Sequence, residues 1–228
     1  LIGCGHMGNS LLRSWISSNK FFITIIDPIK FNKIKIENKN KVIVHKSLKN
    51  LKNYDIFDYI VLAIRPGDLS SVLNELENIK FRKNTIIVSV IAGKTISLIK
   101  NKLNYSNGIV RVMPNMPALI NQGMNCMVAS KLNKTKKNQI KKLFEYTGKT
   151  IWLSNEDEID MATAVSGSGP GFVFNILDAM EKGALKLGFN KKIAKILVYE
   201  TFKGSINLIY NSKYSAEKLT NTVATKGG

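Results

Sequence analysis

Gly3-Cys4-Gly5-His6-Met7-Gly8 stands near the start of the chain, between the apolar Leu1-Ile2 and a helical pattern that runs to about Ser18. Glycines at the first, third and sixth places of such a run suit a dinucleotide-binding loop between a strand and a helix. The first makes the tight turn, the second lets backbone approach a pyrophosphate, and the third lets helix and strand pack closely. The unpaired N–H groups of the helix N-terminus then face the phosphates. Spacing of this kind also arises by chance, so its placement before Asp27 matters: that acid follows about twenty residues on, at the end of the next β-rich run. A carboxylate there accepts hydrogen bonds from a ribose 2′-hydroxyl, whereas Lys30 and Lys33 just beyond it suit a 2′-phosphate, so NADPH and NADH both stay open. His6 occupies a variable loop position, and His45 has no acidic or cysteine partner nearby in sequence; neither reads as a catalytic base or a metal ligand, and no metal site is expected.

Beyond the loop, β-rich runs alternate with helical patterns. Phe22 to Asp27, Val42 to Val44, Tyr59 to Ile64, Thr85 to Ile91, Ile109 to Met113, Asn125 to Ala129 and Thr150 to Leu153 read as strands. Two of them, Tyr59 to Ile64 and Thr85 to Ile91, are continuously apolar, as strands buried on both faces of a parallel sheet are. Helical patterns at Leu69 to Leu76 and Lys136 to Tyr146 separate some of these runs. The alternation predicts an α/β fold with a Rossmann-type doubly wound sheet over residues 1–154.

From Glu158 to Leu219 the pattern changes to helices alone. Ile159 to Val165, Gly171 to Leu187 and Lys191 to Tyr210 carry apolar residues at helical spacing, among them Val173, Ile176, Met180, Ile196, Phe202 and Ile206. Those positions are too many for a solvated hairpin, so an all-α domain over 155–228 is expected to self-associate through these helices.

The bulk composition sets limits on function. The chain has 228 residues and carries a formal net charge of +18, which invites a nucleic-acid reading. The lysines, however, are spread along the whole sequence, and aromatic residues, 8% of the total, are not interleaved with them as stacking platforms. Nucleic acid is therefore not an expected partner. No apolar run approaches the ~18 residues of a membrane span. Cys4 and Cys126 match no metal or redox spacing and read as reduced thiols of a cytoplasmic protein. Leu1 reads as lying inside a strand and Gly228 inside a loop, so both ends are expected to be cut.

Three further segments carry chemistry. Ala63-Ile64-Arg65-Pro66 ends a strand at the carboxyl edge of the sheet, where ligands of open α/β sheets bind. Arg111 to Ala118, with Met113-Pro114-Asn115 at its heart, is a two-proline loop after another strand. Ser166-Gly167-Ser168-Gly169-Pro170 precedes a long helix with glycines and hydroxyls suited to an anion.

Taken in this order, the segments make the chain resemble the pyrroline-5-carboxylate reductases, over essentially its whole length. The resemblance runs through the glycine loop, the Ala63 to Pro66 strand end, the Met113 to Ala118 loop, the Val165 to Pro170 turn, the helices with Thr201 and Gly204, and Val223 to Gly228. It implies reduction of 1-pyrroline-5-carboxylate to L-proline by hydride transfer from NADPH or NADH, the last step of proline synthesis. It implies cofactor contacts from Ile2, Gly3, Cys4, Gly5, His6, Met7, Gly8, Asp27, Ala63, Ile64, Arg65, Pro66, Met113, Pro114 and Asn115. Substrate contacts fall to Glu156, Ser166, Gly167, Ser168, Gly169, Thr225, Gly227 and Gly228. The family's substrate threonine would follow Gly228, so no catalytic side chain is assigned. Arg65 stands where the family usually has Lys, Met116 where it has Thr, and Thr225-Lys226 where it has Ser-Pro. The alternatives are a β-hydroxyacid dehydrogenase-like oxidoreductase, with Lys182 or Lys186 on the corresponding helix, and a non-catalytic NAD(P)-sensing protein.

Overall fold

The computed structural model describes residues 1–29, 41–51, 57–79, 81–82 and 84–223. It divides into two compact units, Leu1–Pro170 and Gly171–Gly228.

The first unit is built on one mixed sheet. Its strands are β1 (Ile23–Ile26), β2 (Val42–His45), β3 (Tyr59–Leu62), β4 (Ile86–Ser89), β5 (Ile109–Met113), β6 (Gly123–Ser130) and β7 (Gly148–Trp152). Ile2 bridges in parallel to Ile26 on one side and Leu62 on the other, so the start of the chain lies between β1 and β3. Its backbone bonds are short: Ile2 N–H to Val61 O, Gly3 N–H to Ile26 O and Ala63 N–H to Ile2 O, each 2.8 Å. From Ile2 the sheet extends through β1 and β2 in one direction and through β3 to β7 in the other. The strand order therefore reverses at the glycine loop, which is where open α/β sheets leave a crevice.

All pairings are parallel except β5 with β6. A parallel partner needs a crossover, and α2 (Leu69–Glu77), α3 (Ile96–Lys102) and α4 (Lys134–Glu145) supply crossovers elsewhere. Between β5 and β6 there is only the 3-10 turn Met116–Ile120, so β6 has to return antiparallel.

Strand alternation sorts the core into two layers. Ile60, Leu62, Ile87, Ile109, Met113, Cys126 and Val128 point to one face, against Leu69 and Leu73 of α2, Ile99 of α3 and Ile159 of α5 (Glu156–Ala162). Val61, Ile86, Val88, Val110, Val112 and Met127 point to the other, against Leu11 and Trp15 of α1 (His6–Ser18) and Ile140 and Phe144 of α4. Arg111, between Val110 and Val112, shares the first face and is only 2% exposed.

No strand follows Trp152 among the described residues. The helix expected at Ile159 to Val165 begins earlier and changes character. After α5 the turn Thr163–Gly167 is a π-helical one, closed by Ser168 N–H to Thr163 O at 2.8 Å. α6 (Gly169–Lys186) starts directly after it.

The second unit contains the rest of α6, α7 (Lys191–Asn211) and α8 (Ala216–Val223). Asn190 caps α7 by accepting the Ile193 N–H at 3.0 Å. Within α7 only Ala194 and Val198 are buried; Ile196, Leu208 and Tyr210 on α7, like Phe172 and Phe174 on α6, are exposed.

Candidate functional site

At the switch point the glycine loop leaves a cleft of about 500 Å³, lined by Ile2, Gly3, Cys4, Gly5, Asp27, Lys46, Ser47, Ala63, Ile64 and Arg65, among others. The three glycines serve distinct steric ends. Gly3 has φ +89°, and a Cβ there would stand 2.5 Å from the Ala63 carbonyl oxygen. A Cβ on Gly8 would collide with the Gly3 carbonyl oxygen, so α1 could not lie so close to the strand. A Cβ on Gly5 would meet nothing within 4 Å. The loop is thus tight at its two ends and open at its middle, at the helix N-terminus. Among the described residues no side chain caps the N-terminal N–H groups of α1, and no acidic residue stands in its first turn. Its positive dipole end suits a pyrophosphate.

Asp27 closes one side. It is 7% exposed, its Oδ2 accepts the Cys4 N–H at 2.7 Å and its Oδ1 accepts the Ile29 N–H at 2.9 Å. The carboxylate expected at the ribose also holds the glycine loop in shape. Arg65 closes the other side; it is exposed and its Nε donates to Asp68 at 2.9 Å. That hydrogen bond, with the charge of Asp68, raises the guanidinium pKa further. Pro66 begins the short 3-10 turn Pro66–Asp68 beyond it. His6 and Met7 occupy the first turn of α1, and the His6 side chain is exposed.

The remaining residues form a second cluster, where β5, the loop after it and α5 meet. Pro114 is buried, and Asn115 joins the two motif loops: its Nδ2 donates to the Ser166 carbonyl at 3.0 Å and its Oδ1 accepts the Met124 N–H at 2.8 Å. Ser166 Oγ donates to the Ala162 carbonyl at 3.0 Å and lies 3.7 Å from the Cys126 thiol. Ser168 is exposed and spends its N–H on Thr163. Glu156 is half-buried and engaged: its oxygens accept the Ile96 N–H at 3.0 and 3.2 Å, and Oε1 pairs with Arg111 Nη1 at 3.2 Å. Thr225, Gly227 and Gly228, like Lys30 and Lys33, lie outside the described residues.

Residues 156–228 match the family model described as pyrroline-5-carboxylate reductase dimerisation, and residues 1–93 the model described as NADP oxidoreductase coenzyme F420-dependent. Pyrroline-5-carboxylate reductase 2 of Bacillus subtilis is 33% identical over 174 residues, which are 75% of this chain and 61% of that protein. The solved pyrroline-5-carboxylate reductase of Coxiella burnetii matches with a TM-score of 0.85 at 29% identity, over 100% of this chain and 84% of that one. The chain thus carries a match to the pyrroline-5-carboxylate reductase dimerisation model and is similar over its whole length to a solved pyrroline-5-carboxylate reductase. A Plasmodium falciparum pyrroline carboxylate reductase solved with NADP bound is similar too, with a TM-score of 0.83 at 26% identity over 100% of this chain and 84% of that one. The match to the Bacillus relative spans about three-fifths of that protein's length.

The sequence reading missed Lys46 and Ser47, which line the cleft beside Asp27. The signal was available: they follow the carboxyl end of β2, the edge where such sheets bind ligands. It also gave Arg111 no role. A lone arginine in an apolar run would have pointed to acidic partners, since a buried charge is seldom left unpaired.

Proposed function

We propose that the protein reduces 1-pyrroline-5-carboxylate to L-proline with NADPH or NADH, and that it does so in the cytoplasm as a self-associating enzyme. Residues 1–154 are read as the dinucleotide-binding domain and residues 155–228 as the dimerisation and substrate-binding domain. The observation that carries the reading is the pairing of Gly5, open to solvent at an uncapped helix N-terminus, with the Asn115–Ser166 bond that joins the family's two loop motifs. Similarity to pyrroline-5-carboxylate reductases supports the substrate, the match to a dimerisation model supports self-association, and two buried free cysteines suit a reducing compartment. No helix among the described residues is long and apolar enough to cross a membrane.

The residues present fit the cofactor: Gly5 leaves room for the pyrophosphate, and Ile2 to Gly8, Asp27 and Ala63 to Pro66 would hold the adenosine and phosphates. Met113, Pro114 and Asn115 would border the nicotinamide end. When bound, the reduced nicotinamide supplies a hydride to the imine carbon, and the imine nitrogen carries the proton that completes the amine. A protonated cyclic imine is already electrophilic, so the protein's work is orientation and charge placement rather than acid catalysis. Ser166, Gly167, Ser168 and Gly169, with Glu156 behind them and Thr225, Gly227 and Gly228 from the C-terminal segment, are read as the holders of the substrate carboxylate.

Loss of NAD(P)H absorbance by the intact purified protein, given pyrroline-5-carboxylate and each cofactor in turn, tests the reading. Proline formation matching cofactor consumption is expected. Tight cofactor binding with no turnover would overturn it.

A further inference from the structure

Arg111 presents a physical problem that the proposed chemistry does not address. It projects from β5 onto the apolar face that also bears Ile109 and Met113, and its side chain is 2% exposed. Nη1 meets Glu156 Oε1 at 3.2 Å and Nη2 meets Asp160 Oδ1 at 2.7 Å, while Nε has no partner among the described residues. Only the arginine of this network is buried, Glu156 being half-buried and Asp160 exposed. Desolvation of the guanidinium offsets much of the attraction, so an apolar side chain of similar volume would stabilise the core as well. What an apolar side chain cannot supply is direction.

The directional content is specific. Glu156 and Asp160 are four residues apart on α5, where two like charges repel. The guanidinium fork draws each carboxylate to a separate nitrogen, and only one roll of the helix about its axis satisfies both. Glu156 adds a third tie by accepting the Ile96 N–H at the start of α3.

That roll passes straight into the π-turn. Thr163 Oγ1 bonds to the Ile159 carbonyl at 2.7 Å, Ser166 Oγ to the Ala162 carbonyl at 3.0 Å and Ser168 N–H to the Thr163 carbonyl at 2.8 Å. The turn is therefore coupled bond by bond to α5. Its far end is held by Asn115, four residues after Arg111 on the same segment. π-Turns are uncommon and persist where surroundings impose them. Here one short stretch, Arg111 to Asn115, clamps both ends of the turn.

We propose that Arg111 is a positioning residue: through Glu156 and Asp160 it sets the roll of α5 and so the presentation of Ser166 to Gly169 to an anionic substrate group. The substrate is the imino-acid carboxylate of the function proposed above, and the inference rests on that reading for its kinetic consequence. Glu156 acts in it as a strut that orients the turn.

The test uses Arg111→Lys, Arg111→Met and Asp160→Asn in the intact protein. Asp160→Asn alters an exposed carboxylate at constant shape and guards against failure of an Arg111 variant to fold. Three quantities are measured: NAD(P)H affinity by fluorescence titration, kcat and KM for pyrroline-5-carboxylate, and amide hydrogen exchange across residues 163–169. Cofactor affinity is expected to stay within about twofold, while kcat/KM for the imine falls roughly 10- to 100-fold in both Arg111 variants, as a small misplacement of a binding group does. Asp160→Asn should move the same way by a smaller factor, and exchange at 163–169 should quicken in all three. Lysine should not rescue, because a point charge cannot span both carboxylates. Unchanged imine kinetics and exchange would overturn the inference, as would a parallel loss of cofactor affinity, which marks general destabilisation. If the unaltered protein does not reduce the imine at all, the functional reading falls, and exchange at 163–169 still decides whether Arg111 sets the turn.

Discussion

The Asp27 carboxylate holds the Cys4 backbone N–H at 2.7 Å, tying the end of β1 to the middle of the glycine loop. Its other oxygen takes the Ile29 N–H, so one buried acid fixes the loop and the chain leaving the strand. Asp27→Asn keeps the shape but leaves one acceptor oxygen and sets an NH2 group against a backbone donor. Buried hydrogen bonds to a charged group contribute about 1.5–3 kcal/mol. A loss of that size in urea unfolding is expected, with weaker binding of both NADH and NADPH. Stability unchanged within about 0.5 kcal/mol would show that the carboxylate is not organising the loop.

The three loop glycines should fail in different ways. Gly5→Ala adds a methyl group where nothing lies within 4 Å, so thermal stability should hold while NAD(P)H affinity drops. Gly3→Ala meets a positive φ and the Ala63 carbonyl oxygen, and should cost roughly 2–6 kcal/mol of folding stability. Paired melting curves and cofactor titrations separate the cases. A Gly5→Ala protein that binds cofactor as tightly as the parent would remove the pyrophosphate from this position.

These contrasts show what the sequence made legible and what it did not. The glycine spacing and the acid at Asp27 were enough to place the cleft, because both are local features of one strand-turn-helix unit. Continuous apolar runs placed β3 and β4 for the same reason. The direction of β6 was not legible, since it depends on the turn Met116–Ile120 being too short for a crossover. Nor was α3, where a seven-residue helix gives little periodicity to read. The contacts of Asn115 with Ser166 and of Arg111 with Glu156 and Asp160 link residues 45 to 51 positions apart, and only the packing of α5 on the sheet brings them together.

Tyr105 provides a pH-dependent test of the same core layer. It is 7% exposed, its hydroxyl donates to the Thr85 carbonyl at 2.7 Å, and its ring meets Phe81 edge-on. Burial pushes its pKa up, against a smaller opposing hydrogen bond with Asn107. A raised folded pKa means the contribution is complete below the unfolded value of about 10 and is lost as pH rises through the folded value. Tyr105→Phe should lose about 0.5–1.5 kcal/mol near neutrality, by removal of the hydrogen bond. Above pH about 10 its stability should fall less steeply than the parent's, because one linked ionisation is gone. Denaturant melts at neutral and alkaline pH check both. Parallel curves would mean that Tyr105 ionises equally in the folded and unfolded chains.

Self-association can be tested at Ile196, which is 53% exposed on α7 in the single chain. An aspartate at an exposed helical site changes the stability of one chain by only about 0.5 kcal/mol. The same charge placed in an apolar contact between copies has to be desolvated without a partner, and central interface positions carry 2 kcal/mol or more, roughly thirtyfold in dissociation constant. Ile196→Asp should therefore shift the protein toward monomer in sedimentation velocity over a concentration series, with its helical circular dichroism retained. Ile196→Leu, which preserves the apolar surface, should assemble like the parent. If the aspartate variant also assembles like the parent, the face of α7 that bears Ile196 does not form the contact between copies.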